Sequence, residues 1–169
     1  VEGLDIKQER GRLIVNDYME TSIEGVYAAG DINGISMLAH SAFKMGEAAA
    51  GNALGGREEV RVENTPKCVY TLPEIASVGL TEEEALKKYG KIRTGRFNFG
   101  ANGRAIASSE EEGFVKVICD DKYGEILGVH IIGSKATEMI SAGVILMEME
   151  ITIEEASEII YAHPTFSEA

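Results

Sequence analysis

The sequence predicts an α+β fold, a mostly antiparallel sheet flanked by helices, and three observations carry that prediction. Past residue 60 the elements run strands, helix, strand, hairpin, helix, helix, without the steady strand–helix alternation of a parallel sheet. Phe114 to Cys119 and Ile126 to Ile132 are apolar runs on either side of Asp120-Asp121-Lys122-Tyr123-Gly124-Glu125, which is the pattern of an antiparallel hairpin with a glycine-containing loop. Thr81-Glu82-Glu83-Glu84 and Thr152-Ile153-Glu154-Glu155 are capping boxes, each opening a helix.

Taken in order, residues 1–20 read as a peripheral segment holding a short strand, Gly11 to Asn16. Val26 to Ala29 is a short apolar run of buried-strand type that Gly30-Asp31 breaks. A small residue followed by an acid at the end of a strand suits ligand contact, and it equally suits a plain turn. Met37 to Leu54 is helical and rich in small residues, and Gly55-Gly56 supply its left-handed cap. The first turn of that helix, around Ser36 to Ala39, either exposes unpaired N–H groups to an electron-rich partner or is capped by Ser36.

Residues 57–66 form a polar connector and the expected domain boundary. Lys67 to Thr71 reads as a strand, with Leu72 to Gly79 continuing the sheet edge. The Thr81 helix runs to Lys88 and stops at Gly90, and Ile92 to Phe99 alternates as a strand. Gly100 to Ala105 reads as a tight surface turn, because no G-x-G pair is present there to cradle phosphate. His130 falls in mid-strand and is read as structural. From Ser134 to Met149 a helix places Met139, Ile140, Gly143, Leu146 and Met147 on one face. Val144, Ile145 and Met149 widen that apolar surface, so the helix is either sandwiched or meets a second subunit. The helix capped at Thr152 is expected to run to Ala162 and hand the chain to His163.

The chain carries a formal charge of −12, with a pI near 4.7 and 44% hydrophobic residues. That balance fits a globule and argues against nucleic-acid or anionic-membrane surfaces, which need an excess of lysine and arginine. No apolar run reaches membrane-spanning length. Cys68 and Cys119 stand far apart in strand-like surroundings without a redox spacing, so buried thiols are expected. Free thiols and the lack of a targeting segment suggest the cytoplasm, or the mitochondrial matrix if the source is eukaryotic. A start at Val1 and a stop just inside a new helix read as a piece of a longer chain. No metal is expected, since His40, His130 and His163 lack any ligand spacing.

The candidate chemistry sits at His163-Pro164-Thr165-Phe166-Ser167-Glu168. Pro164 removes a backbone donor and pushes His163 out of the helical region, which presents the imidazole at a chain reversal. Glu168 is near enough in sequence to turn back onto a ring nitrogen, fix the tautomer and raise the basicity of the other nitrogen. The competing reading is local: Thr165-x-x-Glu168 is itself a capping box, and a His-Pro pair can be a simple turn.

That terminal string resembles the C-terminal signature of the flavin-dependent pyridine nucleotide–disulfide oxidoreductases, the family of dihydrolipoamide dehydrogenase and glutathione reductase. Tyr27-Ala28-Ala29-Gly30-Asp31 with Met37-Leu38-Ala39-His40 resembles the family's second flavin-binding segment, in the form carried by its lipoamide branch. Tyr70-Thr71-Leu72-Pro73-Glu74-Ile75-Ala76-Ser77-Val78-Gly79 is similar to a third family segment, except that histidine is frequent where Leu72 stands.

The resemblance implies a returning segment of the flavin-binding domain in 1–56 and a dimerisation domain, cut short at its C-terminus, in 67–169. It implies catalytic roles for His163 and Glu168 toward dihydrolipoamide, borne by a lipoyl protein or a small dithiol. It implies FAD contacts at Asp31, Met37, Leu38, Ala39 and His40, NAD as final acceptor, and a homodimer in which His163 serves the other subunit's site. A glutathione-reductase-like enzyme and a non-catalytic homodimerisation module are the alternatives. With no G-x-G-x-x-G and no redox cysteine pair in the chain, the piece alone is expected to be inactive and to bind FAD weakly or not at all.

Overall fold

A computed structural model describes residues 3–169, and the chain divides into two compact units, Val1–Glu63 and Asn64–Ala169. The division falls within the polar stretch 57–66.

In the first unit, β1 (Gln8–Glu9) and β2 (Arg12–Leu13) form a two-residue-long antiparallel hairpin. Arg10 and Gly11 turn it, both at positive φ (51° and 81°), which matches the right-handed strand twist. The expected strand from Gly11 to Asn16 is therefore shorter. Val26–Ala29 does not form a strand: it makes one isolated bridge, Glu20↔Tyr27, with Gly25 and Gly30 at positive φ on its two sides. A run confined between two such turns is too short for a ladder. α1 (Ala39–Ala53) packs Met45, Ala48 and Ala49 inward, and Met45 contributes to a small core with Met19. Its end is a glycine cap, with Gly55 at φ 95° and the Gly56 N–H returning to the Gly51 carbonyl at 3.0 Å.

The second unit is built on a five-stranded antiparallel sheet of order β3-β4-β7-β6-β5. Its strands are β3 (Lys67–Val69), β4 (Glu74–Gly79), β5 (Ile92–Asn98), β6 (Gly113–Asp120) and β7 (Ile126–Gly133). The segment expected to continue the sheet edge instead reverses at Leu72-Pro73, a cis peptide, so that β4 pairs with both β3 and β7 inside the sheet. The β6–β7 hairpin forms where the apolar runs place it, pairing Val115 with Ile131 and Val117 with Val129. Its loop is held by Asp120, whose carboxylate accepts the backbone N–H groups of Lys122, Tyr123 and Glu125 at 2.8–2.9 Å.

One face of the sheet packs under α4 (Ala136–Glu148) through Ala76, Val78, Val129 and Ile131, against Met139 and Ile140. Gly143 lets the helix approach closely, because a Cβ there would stand 3.1 Å from Val129. Leu146 and Met147 complete the stripe as half-buried residues, while Ile145 and Met149 are 61% and 69% exposed. Within the unit α4 is thus covered on one side and is not sandwiched. α2 (Glu82–Tyr89) carries its capping box at Thr81 and stops at Gly90, and it covers Ile118 and Leu127 through Ala85.

Two further elements depart from expectation. Gly100–Ala105 is no surface turn: Phe99–Ala101 is a 3₁₀ turn and Gly103–Ser108 is a short helix, α3, capped by the Asn102 side chain. Glycines suggested a loop, but Phe99, Asn102 and Ala105 are buried and order the stretch. α5 (Ile153–Ser157) has its Thr152 capping box but ends five residues before Ala162. Ile159, Ile160 and Tyr161 are poor helix formers, and Ile160 is 97% exposed, so no packing face sustains a further turn.

Gly133 closes β7 at φ 150°, and a Cβ there would come within 2.5 Å of the Phe99 ring. Gly133→Ala is expected to destabilise the second unit by about 2–4 kcal/mol through overpacking and backbone strain. Urea unfolding reads this directly, and a midpoint equal to wild type would contradict the packing described.

Candidate functional site

The second unit brings its two predicted site residues together. His163 Nδ1 lies 2.9 Å from Glu168 Oε1, and the other carboxylate oxygen, Oε2, accepts the Thr165 backbone N–H at 2.8 Å. One carboxylate therefore closes the turn and contacts the ring at the same time. The turn is short. His163-Pro164 is a cis peptide, the Thr165 hydroxyl donates to the Ala162 carbonyl at 2.7 Å, and Phe166–Glu168 forms one 3₁₀ turn.

Two buried anchors hold this turn to the sheet. Phe166 meets Phe99 edge to face, with ring centroids 6.0 Å apart, and Phe99 is fully buried. Asn102, 3% exposed, donates from Nδ2 to the Thr165 carbonyl at 3.0 Å while its Oδ1 accepts the Ala105 N–H at 2.9 Å. The His163 ring itself stays outside. Its side chain is 78% exposed against 28% for Glu168, and its Cε1 lies 4.0 Å from where a Cβ on Gly103 would stand. Sequence reasoning missed Asn102; its N-cap position ahead of Ala105 was the available signal, hidden by the flanking glycines.

The electrostatics set the direction of the His163–Glu168 bond. The Thr165 N–H, then the His163 ring N–H, hold the Glu168 carboxyl below its ordinary range, outweighing partial desolvation. Glu168 is thus held as an ionised acceptor, and Nδ1–H is the donor. In the neutral form of the ring this leaves the Nε2 lone pair free, the arrangement a proton acceptor needs. An open apolar groove of about 350 Å³ runs along the same unit, with Val117, Val129, Leu146, Tyr161 and Glu168 among its lining residues.

Other chemistry-bearing side chains are engaged elsewhere. His130 Nε2 lies 2.9 Å from the Leu80 carbonyl, a structural contact as expected. Cys119 is buried, Cys68 only half-buried on the edge strand, and neither forms a disulfide. Desolvation pushes both thiols up from their ordinary values, which disfavours the reactive thiolate. Among the described residues no group of three or more His, Cys, Asp or Glu side chains could hold a metal ion. Among them, too, no helix is long and apolar enough to cross a membrane.

In the first unit, Asp31 lies exposed in the turn Gly30–Gly34, just ahead of α1. Gly30 brings that turn against the helix, since a Cβ on it would stand 3.3 Å from Ala42 Cβ. Leu38 is the N-cap, in extended conformation and without a side-chain cap bond. Ser36 does not cap the helix; its hydroxyl bonds that of Ser41 at 2.8 Å. Met37 is 64% exposed, and Ala39 and His40 form the first residues of the helix. The segment thus presents an acid and a helix N-terminus whose N-cap residue, Leu38, gives no side-chain cap bond.

Residues 65–169 match the pyridine nucleotide-disulphide oxidoreductase dimerisation domain, and residues 1–46 match the pyridine nucleotide-disulphide oxidoreductase family. The chain belongs to this family of FAD- and NAD-dependent enzymes. Within it, the chain is similar to dihydrolipoyl dehydrogenases. It is 43% identical to that of Rhizobium etli over 99% of its own length and 35% of the relative's. With that of Bacillus subtilis it shares 42% identity over 91% of its length and 34% of the relative's. The crystal structure of LpdA from Mycobacterium tuberculosis superposes with a TM-score of 0.89 at 31% identity, covering 98% of this chain and 36% of that one. The chain spans about a third of the length of the curated relatives it matches.

Because the folded value of Glu168 lies below the ordinary carboxyl value of its unfolded state, its contribution to stability is present in full above that ordinary value. It is lost as pH falls through the folded value. Glu74, Glu84, Asp120 and Glu155 are also lowered, so the comparison is made against Glu168→Gln. The gap in denaturation midpoint between wild type and E168Q is expected to narrow as pH drops from neutral to about 2. A gap constant across that range would refute the assignment.

Proposed function

We propose that this chain is the dimerisation-domain part, with a returning segment of the flavin-binding domain, of a dihydrolipoyl dehydrogenase. In this reading His163 and Glu168 are the acid–base pair that works on the dithiol. The observation that carries it is the 2.9 Å contact of His163 Nδ1 with Glu168 beneath an exposed ring. The names of the relatives favour a lipoyl substrate over glutathione.

The proton chemistry follows from the geometry. A thiolate, not a thiol, attacks a disulfide, so a dihydrolipoyl S–H must lose its proton at the moment of attack. His163 Nε2 accepts that proton and becomes imidazolium, and Glu168 stabilises the positive ring through Nδ1–H. The sulfur then attacks a redox disulfide, a co-reactant supplied by a cysteine pair outside this chain, forming a mixed disulfide as the old S–S bond breaks and the second cysteine leaves as its thiolate. An exposed ring needs a surface to close over it, and a homodimer in which each His163 enters the other subunit's site provides one.

Asp31 and the backbone from Met37 to His40 would hold FAD. The carboxylate suits the hydroxyls of the ribityl chain, and the helix N-terminus suits the electron-rich pyrimidine edge. Bound FAD supplies the electron acceptor that relays to NAD. The glycine-rich fingerprints that complete dinucleotide binding in such enzymes are not in this sequence.

Two tests follow. The 169-residue chain alone is expected to form no NADH from dihydrolipoamide and to stay colourless after incubation with FAD; either activity or yellow protein would contradict this division of labour. Grafted in place of the matching third of the Bacillus subtilis relative, the chain is expected to give dihydrolipoamide-dependent NADH formation. In that chimera His163→Gln should cost about 10²–10⁴ in kcat, the range of a general acid–base group. A His163→Gln chimera as fast as its parent would rule His163 out.

A further inference from the structure

We infer that Asn102 is a positioning residue for His163, acting across 63 residues of sequence to set the tautomer of the ring. The inference rests on the acid–base reading of His163 and extends it to a buried residue that acts through Thr165 and Glu168.

Thr165 links the two residues. Its N–H holds Glu168 Oε2, which leaves Oε1 to face the imidazole, and its carbonyl is held by Asn102 Nδ2 at 3.0 Å. Fixing both polar groups of one residue fixes the direction in which its N–H points, and hence where the carboxylate sits. Asn102 can do this because it is itself immobile. It is 3% exposed, its Oδ1 caps α3 at the Ala105 N–H, and its own N–H returns to the Phe99 carbonyl at 2.9 Å. Phe99 in turn supports Phe166, on the other side of Thr165. One stretch, Phe99 to Asn102, therefore supplies both attachments of the His163 turn. A hydrophobic anchor alone would leave the Thr165 peptide free to rotate.

Asn102 has two functions, and they separate by substitution. Asn102→Asp keeps an oxygen for the Ala105 N–H, so the cap of α3 survives, but it puts an acceptor where Thr165 needs a donor. Asn102→Ala removes both. The readout is ¹⁵N NMR of the imidazole nitrogens in the 169-residue chain at a pH where the ring is neutral, with His163 identified by the signals lost in His163→Gln. In wild type the Nδ1–H form is expected to dominate. In N102D the ratio of Nδ1–H to Nε2–H forms should fall about fivefold, the effect of one neutral hydrogen bond, with the Ala105 amide still protected from exchange. N102A should lose both.

A wild-type tautomer ratio in N102D would overturn the inference. So would loss of the dispersed amide spectrum in N102D, which would make Asn102 a residue of stability rather than position. Should the wild-type ring itself show no Nδ1–H preference, the His163–Glu168 reading falls with it. Failure of N102D alone leaves that reading standing.

Discussion

The candidate site depends on one carboxylate with two partners. Glu168 divides its oxygens between the Thr165 N–H and the His163 ring, and neither bond is independent of the other. The backbone bond places the carboxylate, and the placed carboxylate selects which ring nitrogen carries the proton. This explains how an imidazole that is mostly in solvent can have a defined role. Its orientation is inherited from a backbone turn and does not need to be imposed by burial.

The turn inherits its order from the core. Phe99 and Ala105 belong to the main apolar cluster with Val115, Ile131 and Ile140, and Phe166 packs against that cluster from outside. The antiparallel sheet is the reason these residues meet. Pairing β5 with β6 sets Phe97 opposite Val115, and the 3₁₀ turn after β5 then drops Phe99 over the end of β7 at Gly133. A side chain at Gly133 would occupy the place of that ring. The line from sheet register to His163 thus runs through Gly133, Phe99 and Phe166, with Asn102 as its polar branch.

Much of this was legible in the sequence because the signals were local. The β6–β7 hairpin, the Thr81 and Thr152 capping boxes and the Gly55-Gly56 helix end each depend on residues a few positions apart, and each is present. His163 and Glu168 belong to the same class, five positions apart and joined through a turn that Pro164 starts. What could not be read were pairings set by the folded sheet. α4 has no capping side chain of its own; its Thr137 N–H is taken by Glu74, on β4, at 3.0 Å. The reversal at Leu72-Pro73 turned an expected edge into an interior strand. Gly100–Ala105 was misread for the converse reason. Glycine content argued for a loop, while the burial of Asn102 and Ala105 is visible only once Thr165 is beside them.

The contrast between buried anchors and an exposed ring has a chemical consequence. Proton transfer to an imidazole needs the ring aimed, and the electrostatic gain from Glu168 grows when water is removed from around the pair. This unit supplies the first requirement by itself, through Phe99, Asn102 and Thr165. The second has to come from whatever surface closes over His163. A site built in this way is oriented within its own unit and desolvated only when covered. On the proposed acid–base reading, that separation ties proton abstraction to the covered state of the ring, because its carboxylate partner is worth most where water is excluded.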